Sequence, residues 1–206
     1  MSNAGILVFI ATLFLLVTTG CASAPPPIPV DRGSVNPGSS VARGEKRFKL
    51  LGSPISLGKP LPSVLLVDAM SMKDVDLSQE KGSVLFLSVV PSLDTPVCDA
   101  QTHVLAEQGG ALTAGVRRIT VSRDTPFAQK RFAQAAKLTN LQYLSDYKEG
   151  TFGRSTGLLV EGSMLLARSV VLVDAQGIVR YIQVVPEMGH LPDMETAFEK
   201  ARELAR

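Results

Sequence analysis

The chain reads as an α/β fold, a mixed central sheet flanked by helices. Three observations carry that reading. Short apolar runs rich in Val and Leu alternate with stretches that open on Thr-Pro, a helix-start signature. Near the C-terminus the runs Ser169 to Asp174 and Ile178 to Val185 are separated only by Ala175-Gln176-Gly177, a hairpin signal. The last segment repeats apolar residues at Met194, Ala197, Phe198, Ala201 and Leu204, the spacing of an amphipathic helix. Strands alternating with helices, then a hairpin and a final helix, fit a mixed sheet covered on both faces.

In chain order, Gly5 to Thr19 is an uncharged apolar run ending in Thr18-Thr19-Gly20-Cys21. Its length suits the core of a signal peptide and is short for a membrane span, so residues 1–20 read as a signal peptide. Small residues directly before a cysteine resemble a bacterial lipobox. That resemblance implies lipid attachment at Cys21, a membrane anchor and a place in the bacterial cell envelope, facing the periplasm or the exterior. Two features depart from it: no Lys or Arg precedes the run, and Thr18 stands where leucine is preferred. A retained N-terminal anchor or a wrongly assigned start is the alternative. Residues 21–46 are dominated by proline, glycine and serine without apolar periodicity, which reads as a flexible tether to a domain at 47–206.

Phe48 to Leu57 reads as an N-terminal β-hairpin turning at Gly52-Ser53-Pro54. Val64 to Asp68 is a short strand, and Val75 to Leu77 another extended piece. Ser83 to Val90 is an apolar run suited to a strand buried on both faces. Pro91 ends it, because proline has no N–H for a sheet ladder. Thr95-Pro96 then provides a helix N-cap and a proline at the first helical position, and Gly109-Gly110 closes the helix. Val116 to Ser122 is the next strand. Asp124-Thr125-Pro126 opens a helix reaching about Lys137, Leu141 to Ser145 is a strand, and Gly150 to Ser155 is a short helical turn.

Composition narrows the function classes. A hydrophobic content of 45% supplies a sizeable core, and the roughly 160 residues after the tether suit one domain. A net charge of +2 forms no basic stripe, so nucleic-acid binding has no support. Two cysteines, Cys21 and Cys98, exclude a disulfide framework and a cysteine-rich zinc site. Neither His103 nor His190 has a second metal ligand in sight. His103, five residues beyond Cys98, points to another side of the same helix and reads as a solvated residue.

Cys98 falls at the third helical position, near unpaired N–H groups and the positive end of the helix dipole. Only a few per cent of an unperturbed cysteine, with a pKa of about 8.5, is thiolate near neutral pH. A helix N-terminus and a nearby cation can make thiolate the main form. Position alone also fits a small buried hydrophobe.

The neighbours decide between these. PSLDTPVC carries the pattern Pro-x-x-x-Thr-x-x-Cys, which resembles the peroxiredoxin active-site loop. With DTPFAQKRF at 124–132, SDYKEGTFG at 145–153 and LLARSVVLVD at 165–174, the chain from Phe48 onward resembles the thiol peroxidase branch of that family. The resemblance implies a thioredoxin-like fold, a homodimer, and no metal or flavin. It also implies reduction of hydrogen peroxide or organic hydroperoxides through a sulfenic acid on Cys98. Thr95, three residues before Cys98, and Arg168, onto which the family's arginine maps, polarise the peroxide, while Pro91 shapes the pocket. Relatives of this branch usually carry a resolving cysteine in the helix after DTPFAQKRF, where this chain has Ala133. The expected cycle therefore uses one cysteine and an external thiol reductant, a thioredoxin-like protein or a small thiol. Two rivals stand beside it: a peroxide-sensing or redox-regulated binding lipoprotein with little turnover, and a structural envelope lipoprotein that lost the activity.

Overall fold

The computed structural model describes residues 27–112 and 114–206. The expected signal peptide and the expected lipid attachment at Cys21 fall outside the described residues. Twelve strands and four α-helices follow in chain order. The strands before the first helix are β1 (Val30–Asp31), β2 (Ser40–Arg43), β3 (Lys46–Leu51), β4 (Leu65–Asp68), β5 (Asp74–Asp76) and β6 (Val84–Val89). Helix α1 (Pro96–Glu107), β7 (Val116–Ser122), α2 (Pro126–Ala135), β8 (Gln142–Ser145) and α3 (Thr151–Thr156) come next. The chain then forms β9 (Leu159–Val160), β10 (Ser169–Val173), β11 (Val179–Val184), β12 (Leu191–Pro192) and α4 (Met194–Leu204).

The central sheet has seven strands in the order β11-β10-β6-β7-β8-β4-β5. Strands β6, β7 and β8 are parallel, and β10 runs antiparallel to both β6 and β11. Alternation along β6 splits its side chains between two apolar layers, as the two-residue period of a strand requires. Val84 and Phe86 pack under α1, α2 and α4 with Leu105, Ala133 and Phe198. Leu85, Leu87 and Val89 face the opposite layer, with Phe152 of α3 and Leu50, Leu159 and Val160. That second face is covered mostly by a small antiparallel sheet, β2-β3-β9, rather than by helices.

The hairpin and tether differ from the sequence reading. The N-terminal hairpin is β2–β3, pairing Ser40 with Lys49 and Arg43 with Lys46 around Gly44-Glu45, so only its second strand was placed. Gly52 ends β3 instead of turning a hairpin. Its φ is +105°, and a Cβ there would sit 1.9 Å from the carbonyl oxygen of Arg154, a position open only to glycine. Residues from Val30 onward belong to the folded domain, not to a tether. β1 pairs in parallel with β12, and Val41 is buried at 1% exposure. Composition missed this because the partners lie some 150 residues away. Gly109-Gly110 forms a 3₁₀ turn rather than a left-handed cap, with Gly109 buried. Helix α2 stops at Ala135, two residues short of the expected end, and Lys137 takes a φ of +58°.

Candidate active site

Strand β6 delivers the chain to Pro91, and the loop Ser92–Asp94 leads into α1. One carboxylate holds this loop. Asp124 Oδ1 accepts from the Ser92 hydroxyl at 2.7 Å, and Oδ2 accepts from the Leu93 N–H and the Ser122 hydroxyl, each at 2.7 Å. The sequence placed Asp124 at a helix start. The cap of α2 is Thr125, as the Thr-Pro pair predicts, and its hydroxyl accepts the Ala128 N–H.

Thr95 is the N-cap of α1 by backbone conformation, with Pro96 at the first helical position. Its side chain does not cap. The Thr95 hydroxyl donates to the Ser92 carbonyl at 3.0 Å, which leaves the N–H groups of the first turn without it. Cys98 lies at the third helical position as expected, and its side chain is wholly buried.

Arg168 sits directly before β10 and crosses to α1 with 2% exposure. Each arm of its guanidinium has a partner. Nε donates to the Met188 carbonyl at 3.2 Å, Nη1 to Gln101 Oε1 at 2.8 Å, and Nη2 to Cys98 Sγ at 3.4 Å. Gln101 in turn donates to the Ser88 hydroxyl of β6 at 2.8 Å. No carboxylate pairs with Arg168 among the described residues. Burying a charge is costly unless it is paired. The ionisable group that this cation touches is the Cys98 thiol.

Above this pair lies a cleft of about 200 Å³ lined by Pro91, Thr95, Val97, Arg168 and Met188, among others. A wider depression of about 420 Å³ between Val35 and Leu57 has no cysteine and no charged side chain in its wall. Pro91, Thr95, Cys98 and Arg168 thus come together at one place. Gln101, Asp124 and Met188 join them unannounced. A glutamine on a helix carries no signal of burial, and a backbone carbonyl carries none at all. His103 lies apart from the sulfur, between Asp99 at 3.6 Å and Glu107 at 3.1 Å. Among the described residues no three His, Cys, Asp or Glu side chains are grouped to hold a metal ion.

Comparisons with known proteins agree in kind. The Redoxin family model matches residues 56–198. The thiol peroxidase of Halalkalibacterium halodurans is 41% identical over 153 residues, 74% of this chain and 91% of that protein. The thiol peroxidase of Bacillus subtilis is 36% identical over 157 residues, 76% of this chain and 93% of that one. A peroxiredoxin-like protein from Aquifex aeolicus superposes with a TM-score of 0.76 at 31% identity, covering 84% of this chain and 99% of its own.

Proposed function

The chain belongs to the Redoxin family, and from that premise we propose that Cys98 is the nucleophile with which it reduces hydrogen peroxide and organic hydroperoxides. It is an oxidoreductase of the peroxiredoxin type with a thioredoxin-like fold. The supporting observation is the buried Arg168 guanidinium, which has no carboxylate partner and donates to Cys98 Sγ.

The hydroperoxide enters the cleft beside Pro91. The Cys98 thiolate attacks its terminal oxygen in line with the O–O bond. An S–O bond forms as the O–O bond breaks, and the departing alkoxide or hydroxide takes a proton from water. A sulfenic acid remains on Cys98. Arg168 cannot lose its proton and stabilises the charge moving onto the leaving oxygen. The Thr95 hydroxyl gives its proton to Ser92, so its lone pairs are left to accept the O–H of the hydroperoxide and hold it in line. Pro91 keeps water from the sulfur.

An external thiol then attacks the sulfenic sulfur, water leaves, and a second thiol frees Cys98 by taking the mixed disulfide. Because Sγ is fully covered, the reductant reaches it only when the first turn, Thr95 to Val97, moves aside. That burial also favours the second reading, a peroxide sensor with little turnover. Steady-state peroxide consumption with a panel of thiol donors separates the two. Many turnovers per Cys98, abolished in Cys98→Ser and lowered about 10²-fold or more in Arg168→Ala, support the enzyme. Consumption of one equivalent and no more supports the sensor.

Two further parts of the reading concern where the enzyme works. A lipid on Cys21 would hold it to a membrane of the bacterial cell envelope. Intact-mass analysis should find an acylated N-terminus at Cys21, and residues 1–20 still attached would reject it. A homodimer is supported by Phe127, 64% exposed in the first turn of α2, three residues from the Asp124 that holds the active-site loop.

A further inference from the structure

The mechanism above uses one of two cations that face the cleft. The other is Arg43, the last residue of β2, which lines it together with Pro96 and Val97 of α1's first turn. It comes from outside the 56–198 match, in the stretch whose composition reads as a tether. Its base is fixed with respect to the site. The Ala42 N–H donates to the Pro186 carbonyl at 2.7 Å, and the Met188 N–H donates to the Ala42 carbonyl at 2.8 Å. Met188 is the residue whose own carbonyl receives Arg168 Nε.

Arg43 forms no ion pair within 4.0 Å among the described residues. The acidic side chain on the facing segment, Glu187, is committed to backbone. Its Oε2 accepts from Gly44 at 3.0 Å and its Oε1 from Gly189 at 3.2 Å. Apart from the two arginines the cleft wall is mostly apolar, with Pro91, Pro96, Val97, Leu165 and Met188 beside Thr95 and Gly189. A volume of about 200 Å³ holds roughly seven water-sized units at about 30 Å³ each, enough for a short organic body and too small for a folded partner.

We propose, resting on the peroxidase reading, that Arg43 is a specificity-determining residue that selects hydroperoxides carrying a carboxylate or other anionic group at their organic end. The peroxide head lies at Arg168, the carbon body along the apolar wall, and the anion at Arg43. The anion takes no part in bond making or breaking. The occupant is the peroxide because Arg168, the group that stabilises the leaving oxygen, lines the same cleft, which is too small for a protein reductant.

A matched pair of compounds tests this: cumene hydroperoxide and its ring 4-carboxylate, which share the reacting group and the bulk. The wild type should favour the carboxylate in kcat/KM by about fivefold at low salt, the size of one partly exposed charge pair, and less as salt is added. Arg43→Gln should bring the ratio near one, Arg43→Glu should invert it, and Arg43→Lys should keep most of it. Equal rates on both compounds in the wild type, a ratio indifferent to the charge at position 43, or a loss shared equally by both compounds would each overturn the inference while leaving the peroxidase reading intact. No consumption of either compound or of hydrogen peroxide by the wild type would overturn both.

Discussion

Gln101 Oε1 accepts the Nη1 hydrogen of Arg168 at 2.8 Å, one helical turn beyond the sulfur that receives Nη2. The glutamine is itself buried and anchored to Ser88 of β6. It therefore aims the guanidinium without touching substrate, as a positioning residue. Gln101→Leu would leave Arg168 and Ser88 each short of a buried partner, at about 1–3 kcal/mol per group. The second-order rate with peroxide should fall about tenfold, less than in Arg168→Ala. Gln101→Glu, which keeps an acceptor but gives Arg168 the carboxylate partner it otherwise lacks, should lower the peroxide rate at least as far as Gln101→Leu. A stability loss with an unchanged rate constant would show a purely structural role.

The N-terminal segment yields a second expectation. A chain shortened to residues 47–206, the domain boundary that composition suggests, loses β2 and the N–H···O bond between Met188 and Ala42. It also uncovers the apolar layer that Val41 closes. Burial of one valine is worth about 1.5–3 kcal/mol, and a domain of this size loses about 2–4 °C of Tm per kcal/mol. The shortened chain should melt at least 5 °C lower and react more slowly with peroxide, measured by scanning calorimetry and by stopped-flow kinetics. An unchanged melting temperature would return these residues to the status of a tether.

Ala133, on α2, is wholly buried in the same apolar cluster as Cys98. With no second thiol among the described residues, one equivalent of peroxide should leave a sulfenic acid that a dimedone-type reagent traps, and excess peroxide should carry it to sulfinic acid. Ala133→Cys should form a disulfide with Cys98 once the first turn of α1 opens and brings the Cα atoms within about 7 Å. The variant should resist over-oxidation, read by intact mass. A disulfide between Cys21 and Cys98 in the wild type, found by peptide mapping, would overturn the one-cysteine cycle.

Asp146 gives a dependence on pH. Burial raises its carboxyl above the ordinary value, against the N–H groups of Phe152 and Gly153 that its oxygens accept, each at 3.0 Å. A carboxyl raised in the folded state binds more protons there than in the unfolded chain. Its contribution to stability is then most favourable below the unfolded pKa of about 3.9 and declines as pH rises through the folded value. Relative to the wild type, Asp146→Asn should show a flatter decline of denaturation midpoint from pH 4 upward. Parallel curves for the two proteins would contradict this.

Chain-local chemistry explains what could be read before any coordinates. Pro91 stops β6 because it lacks an N–H, and Thr95-Pro96 starts α1 because proline's φ suits a helix's first turn. Those two events, four residues apart from Pro91 to Thr95, place Cys98 at the third helical position. The hairpin β10–β11 and the stripe on α4 were equally legible, since each signal is contained within one element.

What needed the folded chain is every contact between distant segments. Arg168 meets Cys98 across 70 residues only because β10 lies beside β6 in the sheet. Gln101 and Asp124 look like surface or capping residues until sheet order supplies their partners. The stretch from Val30 to Arg43 has the composition of a coil, and its order comes from pairing with β12, with β3 and with the Pro186–Met188 segment. Local propensity is a weak force beside such pairings, so a proline- and glycine-rich run can be rigid where distant backbone groups meet it. That same docking carries Arg43 to the mouth of the cleft, a placement for which nothing in its neighbouring residues gives a sign.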